Sequence, residues 1–223
     1  MSVLRQSSTQ SMLNQQLDSI RNHKAKLKKS DGLINAAVAV ILRDTVNGPE
    51  FFMIQRAYHP NDQWSGQMAF PGGKYDAQDQ SLKTTAIRET YEEVGLQLND
   101  DEFIGQVDDV YGINANRSLS VHITSFVFKL ERDVELIANY EVADMLWLPF
   151  SILENPDNSH EFYHPHDTSI KMPAVLLNKE KGQIIWGLSL RILFILFGIL
   201  NRPMNVLSTQ EKDYFTEIES INK

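Results

Sequence analysis

Apolar residues run almost without interruption from Ile34 to Leu42, the pattern of a strand buried on both faces. Asn47-Gly48-Pro49 then predicts a turn, and Phe51 to Gln55 a second strand. Tyr58 to Gly66 is rich in turn formers and reads as a loop into the short apolar run Met68-Ala69-Phe70, which Pro71-Gly72-Gly73 closes. The periodicity then changes: Leu82 to Val94 predicts a helix ended by Gly95. Further strands are predicted at Phe103–Val110, Leu119–Leu130 and Ala143–Leu148, the last closed by Pro149. In the longest of these, Leu119, Val121 and Ile123 mark one face, and Phe126 and Phe128 the other. Helices are predicted at Ile185–Leu200 and from about Thr209 to Ile221.

The beginning of the chain follows a different rule. Residues 1–30 are rich in Ser, Gln, Lys and Arg with Asp18 as their one acid, which is faintly similar to an organellar transit peptide. The spacing of Met12, Leu13, Leu17, Ile20 and Leu27 instead predicts an amphipathic helix, and that reading is preferred. We therefore divide the chain into an amino-terminal helical extension, residues 1–30, and one α/β domain, residues 31–223. The apolar run Ile184 to Leu200 is close to spanning length, but Arg191 sits at its centre and Gly187 and Gly198 interrupt it. It reads as a buried helix, so no membrane association is expected.

Composition narrows the chemistry. A net charge of -8 argues against a nucleic-acid binder held by phosphate attraction. An acidic enzyme acting on phosphates would need cations to bring its substrate in. The absence of cysteine excludes disulfides, thiolate chemistry and cysteine-ligated zinc, and it fits a cytoplasmic protein. Whether residues 1–30 cover the domain or pair with a second copy, giving a homodimer, is left open.

The most informative stretch is GGKYDAQDQSLKTTAIRETYEEVGL, from Gly72 to Leu96. On the predicted helix Glu89, Glu92 and Glu93 stand at i, i+3 and i+4, so the three carboxylates share a face, with Ile87, Tyr91 and Val94 opposite to anchor it. Such a cluster repels itself unless a cation neutralises it, and hard oxygen ligands suit Mg²⁺ or Mn²⁺. Taken alone, the string reads first as a solvated acidic face, since charged helix faces are common. The Gly-Gly turn before the helix, Asp79 in the intervening loop, Arg88 beside the first glutamate and Gly95 at the end favour a site.

These residues resemble the Nudix box, Gly-x5-Glu-x7-Arg-Glu-(apolar)-x-Glu-Glu-x-Gly-(apolar), read here from Gly73 through Asp79, Arg88-Glu89 and Glu92-Glu93 to Gly95-Leu96. Asp79 replaces the loop glutamate, the next spacer is one residue longer, and Thr90 replaces the usual apolar residue. The run Trp64 to Lys74, Gln55-Arg56 before it, and Glu141-Val142-Ala143, Trp147-Leu148-Pro149 and Ile185 to Leu188 after it are similar to further family segments. The resemblance covers about residues 33–200. It implies an α/β/α sandwich with a mixed sheet between helices, and metal-dependent hydrolysis of a diphosphate linkage in a small nucleotide-like substrate.

The resemblance also implies roles. Glu89, Glu92 and Glu93 would hold Mg²⁺ or Mn²⁺, with Glu89 as an alternative base for water. Arg88 would brace a neighbouring carboxylate, Gly73 would let the backbone bend against the helix start, and Lys74 would reach a phosphate. Glu141 is the candidate for a fourth carboxylate. Arg56 reads either as a phosphate-gripping guanidinium or as a surface ion pair, and Trp64 as a base-stacking or a packing ring. The Phe70-Pro71-Gly72-Gly73 stretch, Asp79 and the long spacer resemble the coenzyme A diphosphatase branch. Arg56-Ala57 and Trp64-Ser65-Gly66 depart from that branch, which usually carries Arg-Ser and a histidine there. ADP-ribose, NADH or a diadenosine polyphosphate are the rival substrates, and a non-catalytic ligand-sensing module is the rival of another class.

Other signals carry less. Gly66 to Lys74 has the wrong spacing for a P-loop, and Tyr75 stands where Ser or Thr should follow the lysine. His160, His164 and His166 predict a loop, with a structural metal site as a minor alternative, and His122 reads as a satisfied strand residue.

Overall fold

The computed structural model describes residues 13–14, 16–28, 32–60, 62, 64–113, 119–164, 167–213 and 215. Strands β1 (Ile34–Thr45), β2 (Gly48–Arg56), β3 (Met68–Ala69) and β4 (Gly72–Lys74) precede helix α1 (Leu82–Val94). Strands β5 (Phe103–Gln106), β6 (Val110–Ile113), β7 (Leu119–Leu130) and β8 (Val142–Pro149) follow, then the short helix α2 (Ser151–Glu154). Strands β9 (Ser159–His164), β10 (Asp167–Asn178) and β11 (Gln183–Trp186) lead into helix α3 (Gly187–Ile199).

One mixed sheet runs in the order β3-β2-β1-β7-β5, with β4 added to β1, β6 to β7 and β8 to β2. At its centre β1 and β7 are parallel, in register from Ile34 opposite Val121 to Arg43 opposite Leu130. Side chains alternate across a strand, so an apolar run fills both faces of this sheet. On one face Ala37, Ala39, Ile41, Phe52, Ile54, Phe126 and Phe128 pack with Ala86 and Val94 of α1. On the other, Val40, Leu42, Phe51 and Met53 pack with Leu193, Leu196 and Phe197 of α3 and with Leu13, Leu17 and Ile20. The result is an α/β/α sandwich. Burying each large side chain, such as Phe51 or Phe52, contributes about 1.5–3 kcal/mol.

Residues 16–21 are helical, and Leu13, Leu17 and Ile20 are buried against the domain. Leu27, assigned to the same stripe, is 70% exposed, because the helix ends before residue 23 and extended residues follow. Met12 lies outside the described residues.

Three predicted elements need correction. The strand expected over Phe103–Val110 is two strands, since Asp108 and Asp109 leave the ladder between them to bind the amino-terminal segment. Asp108 accepts from the Lys26 amide at 2.9 Å, and Asp109 from the Lys28 amide at 2.9 Å. The helix expected from Ile185 begins at Gly187, because Ile185 is paired with Val175 in a separate three-stranded sheet, β11-β10-β9. The loop expected around His160 is strand β9, with His160 opposite Ala174. The side chain of His164 and all of His166 lie outside the described residues. In the final predicted helix residues 209–213 are helical, and residues 214 and 216–223 are not described. Among the described residues no helix is long and apolar enough to cross a membrane.

Candidate active site

Helix α1 is set by its ends. The Ser81 hydroxyl oxygen accepts the Thr84 amide at 3.2 Å, filling one of the donors that the first turn leaves open. Gly95, in the left-handed region at φ 70°, closes the last turn by donating to the Tyr91 carbonyl. The helix buries Thr85, Ala86, Thr90, Glu93 and Val94. The expected anchor Tyr91 is instead 56% exposed, so the core-facing side is rotated toward Glu93. Thr90 is tolerated at an apolar position because its hydroxyl donates to the Ala86 carbonyl at 2.7 Å.

The three glutamates therefore differ sharply. Side-chain exposure is 52% for Glu92, 18% for Glu89 and 3% for Glu93. Strand β4 runs directly over buried Glu93 and half-buried Glu89. A Cβ on Gly73 would stand 2.4 Å from the Glu89 carboxyl carbon, so any larger residue there would push the Glu89 carboxylate from its place. The Gly72 amide donates to Glu93 Oε2 at 2.9 Å.

Arg88 organises the outer part of the cluster. Its Nε and Nη2 donate to Asp79 Oδ1 and Oδ2, each at 2.9 Å. Nη1 donates to Glu89 Oε1 at 2.9 Å and to Glu92 Oε2 at 3.2 Å, and Nη2 reaches the Lys74 carbonyl at 3.3 Å. Asp79 is buried and also accepts from the Thr85 hydroxyl and the Asp76 amide. The Arg88 guanidinium holds its carboxyl well below the usual carboxylate range.

Glu141 comes from the segment that leads into β8. The Asn139 amide donates to the Glu93 carbonyl at 2.9 Å, and the Ala57 amide to the Glu141 carbonyl at 2.7 Å. The segment is thus clamped between the end of α1 and the end of β2. The Tyr140 hydroxyl is hydrogen-bonded to the exposed Glu141 carboxylate, which raises the pKa of the phenol. Burial pushes the Glu93 carboxyl up to about 8; the Gly72 amide and Arg56 oppose this, and the charges of Glu89 and Glu141 add to it. Burial likewise raises Glu89, against Arg88 and with Glu92 and Glu141. Glu89, Glu93 and Glu141 share one electrostatic field.

The fit to a divalent cation rests on this donor set. Among the described residues, no three His, Cys, Asp or Glu side chains are already grouped to hold an ion. Glu89 and Glu92 turn instead to Arg88, and Glu93 to the Gly72 amide. All three nevertheless offer hard oxygen atoms, and the burial of Glu93, with Glu89 half-buried beside it, carries a cost that a cation would offset. The residues present fit Mg²⁺ or Mn²⁺.

The other expected site residues surround this cluster. Arg56 has Nη1 3.9 Å from Glu93 Oε1 and is held by Asp62 through Nε and Nη2. The Lys74 side chain is exposed at the end of β4, and Trp64 is half-buried in the loop between β2 and β3. Sequence reasoning missed Asp62 and Tyr140. Tyr140 had a faint signal in adjoining Glu141, whereas nothing in the spacing marked Asp62. His122 is buried, with its ring nitrogens on Asp109 and Asn35, and so belongs to the structural polar network.

A family model of the NUDIX domain matches residues 33–167. The chain is similar to a Nudix hydrolase of Yersinia pestis (strain Pestoides F) designated NudL, with 28% identity over 179 residues, 80% of this chain and 84% of that protein. It is also 37% identical over 113 residues to an uncharacterized protein of Schizosaccharomyces pombe; that match takes in 49% of this chain but only 34%, about a third, of the relative. Among solved structures, a MutT/nudix family protein from Enterococcus faecalis is similar in fold, with a TM-score of 0.54, 17% identity, and 93% of this chain and 85% of the other covered.

Proposed function

The chain belongs to the Nudix family of hydrolases, and from that premise we propose that it cleaves the diphosphate linkage of coenzyme A or an acyl-coenzyme A. Water would enter at one phosphorus and the other phosphate would leave, giving a phosphopantetheine and adenosine 3′,5′-bisphosphate. The observation that carries the reading is the pressing of Glu89 and Glu93 against the β4 backbone, with Glu141 facing them.

Glu89, Glu92 and Glu93 are the proposed ligands of Mg²⁺ or Mn²⁺, with Glu141 as a fourth carboxylate. When bound, such an ion neutralises charge on the phosphoryl oxygens and makes the attacking water more acidic. Arg88 braces the carboxylates of Glu89 and Glu92 beside one another, and they would turn oxygens from it to an arriving ion. Glu89 is the proposed proton acceptor, since burial makes its carboxylate more basic than an exposed one. Arg56, with Nη1 toward Glu93, is the proposed grip on a phosphate oxygen, and the exposed Lys74 the proposed second cation. Trp64, half-buried in the adjoining loop, is the proposed stacking partner for the nucleobase.

A release assay with Mg²⁺ or Mn²⁺ over coenzyme A, acetyl-coenzyme A, ADP-ribose, NADH and a diadenosine polyphosphate tests the substrate. Preferential cleavage of the two coenzyme A compounds is expected. Preference for ADP-ribose or a dinucleotide would keep the mechanism and discard the branch, assigning the Trp64 loop to another nucleotide. Absence of cleavage across the panel would favour a ligand-sensing module.

A further inference from the structure

The charged residue that no motif marked, Asp62, sits between the two loop groups proposed to meet substrate. Its Oδ2 accepts both Nε and Nη2 of Arg56, at 3.0 and 2.7 Å. Its Oδ1 accepts the Trp64 amide at 3.0 Å. Both carboxylate oxygens are therefore committed, one to each group. The main chain adds to the clasp, with the Asp62 amide donating to the His59 carbonyl and the Ser65 amide to the Asp62 carbonyl. The Asp62 side chain is 18% exposed and that of Arg56 is 26% exposed. Burial alone would raise the Asp62 carboxyl, but the Trp64 amide and Arg56 outweigh it and hold it below its ordinary value.

The consequence lies in which nitrogen is left over. With Nε and Nη2 on Asp62, Nη1 is the nitrogen turned toward Glu93, at 3.9 Å. That separation is too long for a hydrogen bond. Nη1 thus keeps donor capacity at the edge of the carboxylate cluster, where a diphosphate oxygen would arrive. An unheld arginine would lose rotamer freedom when gripping phosphate, and that loss weakens binding. A side chain already locked avoids most of it.

We propose that Asp62 is a positioning residue, which presets Arg56 for a substrate phosphate and ties its orientation to the Trp64 turn. The inference rests on the proposed diphosphatase reading. It places Asp62 outside the metal-holding set and acting only through Arg56 and the loop.

The test is a double-mutant cycle on the full chain, with Asp62→Asn, Arg56→Met and both together, assayed on the best substrate of the panel. Asp62→Asn should raise KM about tenfold or more with a smaller change in kcat, leaving Mn²⁺ affinity within about twofold of wild type. The double variant should be no worse than Arg56→Met, because residues acting as a unit are not additive. Additive losses, or an Asp62→Asn effect confined to kcat, would overturn the proposal. Melting curves establish that each variant folds; should Asp62→Asn fail to fold, Asp62→Ser takes its place, and unchanged KM in that variant counts against the assignment. The Arg56 Nε–H resonance, identified by its loss in Arg56→Met, gives a reading without turnover. It should be protected from exchange in wild type and lose protection in Asp62→Asn; equal protection in both would contradict the link. If wild type cleaved nothing, the functional reading would fail while this signal still decided whether Asp62 holds Arg56.

Discussion

At the scale of single residues, the account turns on burial deciding what a carboxylate does. Glu92 and Glu93 are neighbours in sequence, yet one is half exposed and the other almost fully enclosed. In metal-free protein Glu93 titrates near 8, against an ordinary value of 4.5. Between those values the folded state keeps a proton that the unfolded chain has released, so stability should fall as pH rises from about 4.5 to about 8. Melting temperatures taken in a chelator should show that decline in wild type and lack it in Glu93→Gln; parallel profiles would contradict the assignment. Asp79 has the opposite sign. Held low by Arg88, it stabilises the fold above the ordinary carboxylate range and loses that contribution on acidification. Asp79→Asn should cost about 2 kcal/mol in urea unfolding, because it removes a charge-assisted fork from a buried position. A change within a few tenths would show the fork to be idle.

At the scale of elements, the box was legible because glycines and carboxylates at fixed spacing are a local pattern. Gly73 makes its close approach inside that pattern, against Glu89 sixteen positions on. Arg88 and Asp79 are likewise partners within one loop and helix. Asp62 was not legible, since its value depends on how an irregular loop folds back on Arg56. The misjudged face of α1 has a similar origin. Helical spacing places Tyr91 opposite the glutamates, but β4 lies over Glu89 and Glu93 and draws that side inward. Ile185 looked helical because an apolar run does not distinguish a buried strand from a buried helix. Ser81 makes the element-scale argument testable. Ser81→Ala removes the cap on Thr84 and should lower stability by about 1 kcal/mol with the site geometry retained. Equal unfolding midpoints for the two proteins would rule out a role for the cap.

At the scale of the whole molecule, the sandwich was readable from Ile34–Leu42 and Phe51–Gln55, whose uninterrupted apolar runs need cover on both sides. What covers each side was less evident. The amino-terminal helical residues place Leu13, Leu17 and Ile20 in the core beneath α3's neighbours, and the extended residues after them are held by Asp108 and Asp109. We propose that the stretch carrying Leu13, Leu17 and Ile20 acts as an integral cover of the 31–223 domain. A chain beginning at residue 31 would expose the surface those three side chains bury, at about 1.5–3 kcal/mol each. It should melt well below the full chain. An unchanged melting temperature would return this segment to the role of an independent appendage.

The central claim is that the enclosed carboxylates around Glu93 hold a divalent ion for diphosphate cleavage. Its most direct test is the Mg²⁺- or Mn²⁺-dependent turnover of coenzyme A by wild type and Glu93→Gln side by side, with bound Mn²⁺ counted on the same samples. The account predicts cleavage by wild type to phosphopantetheine and adenosine 3′,5′-bisphosphate. It also predicts a loss of about a hundredfold to a thousandfold in a folded Glu93→Gln protein with weakened Mn²⁺ binding, in the range seen when a group stabilising transition-state charge is removed. Undiminished turnover or undiminished Mn²⁺ binding in that variant would contradict it.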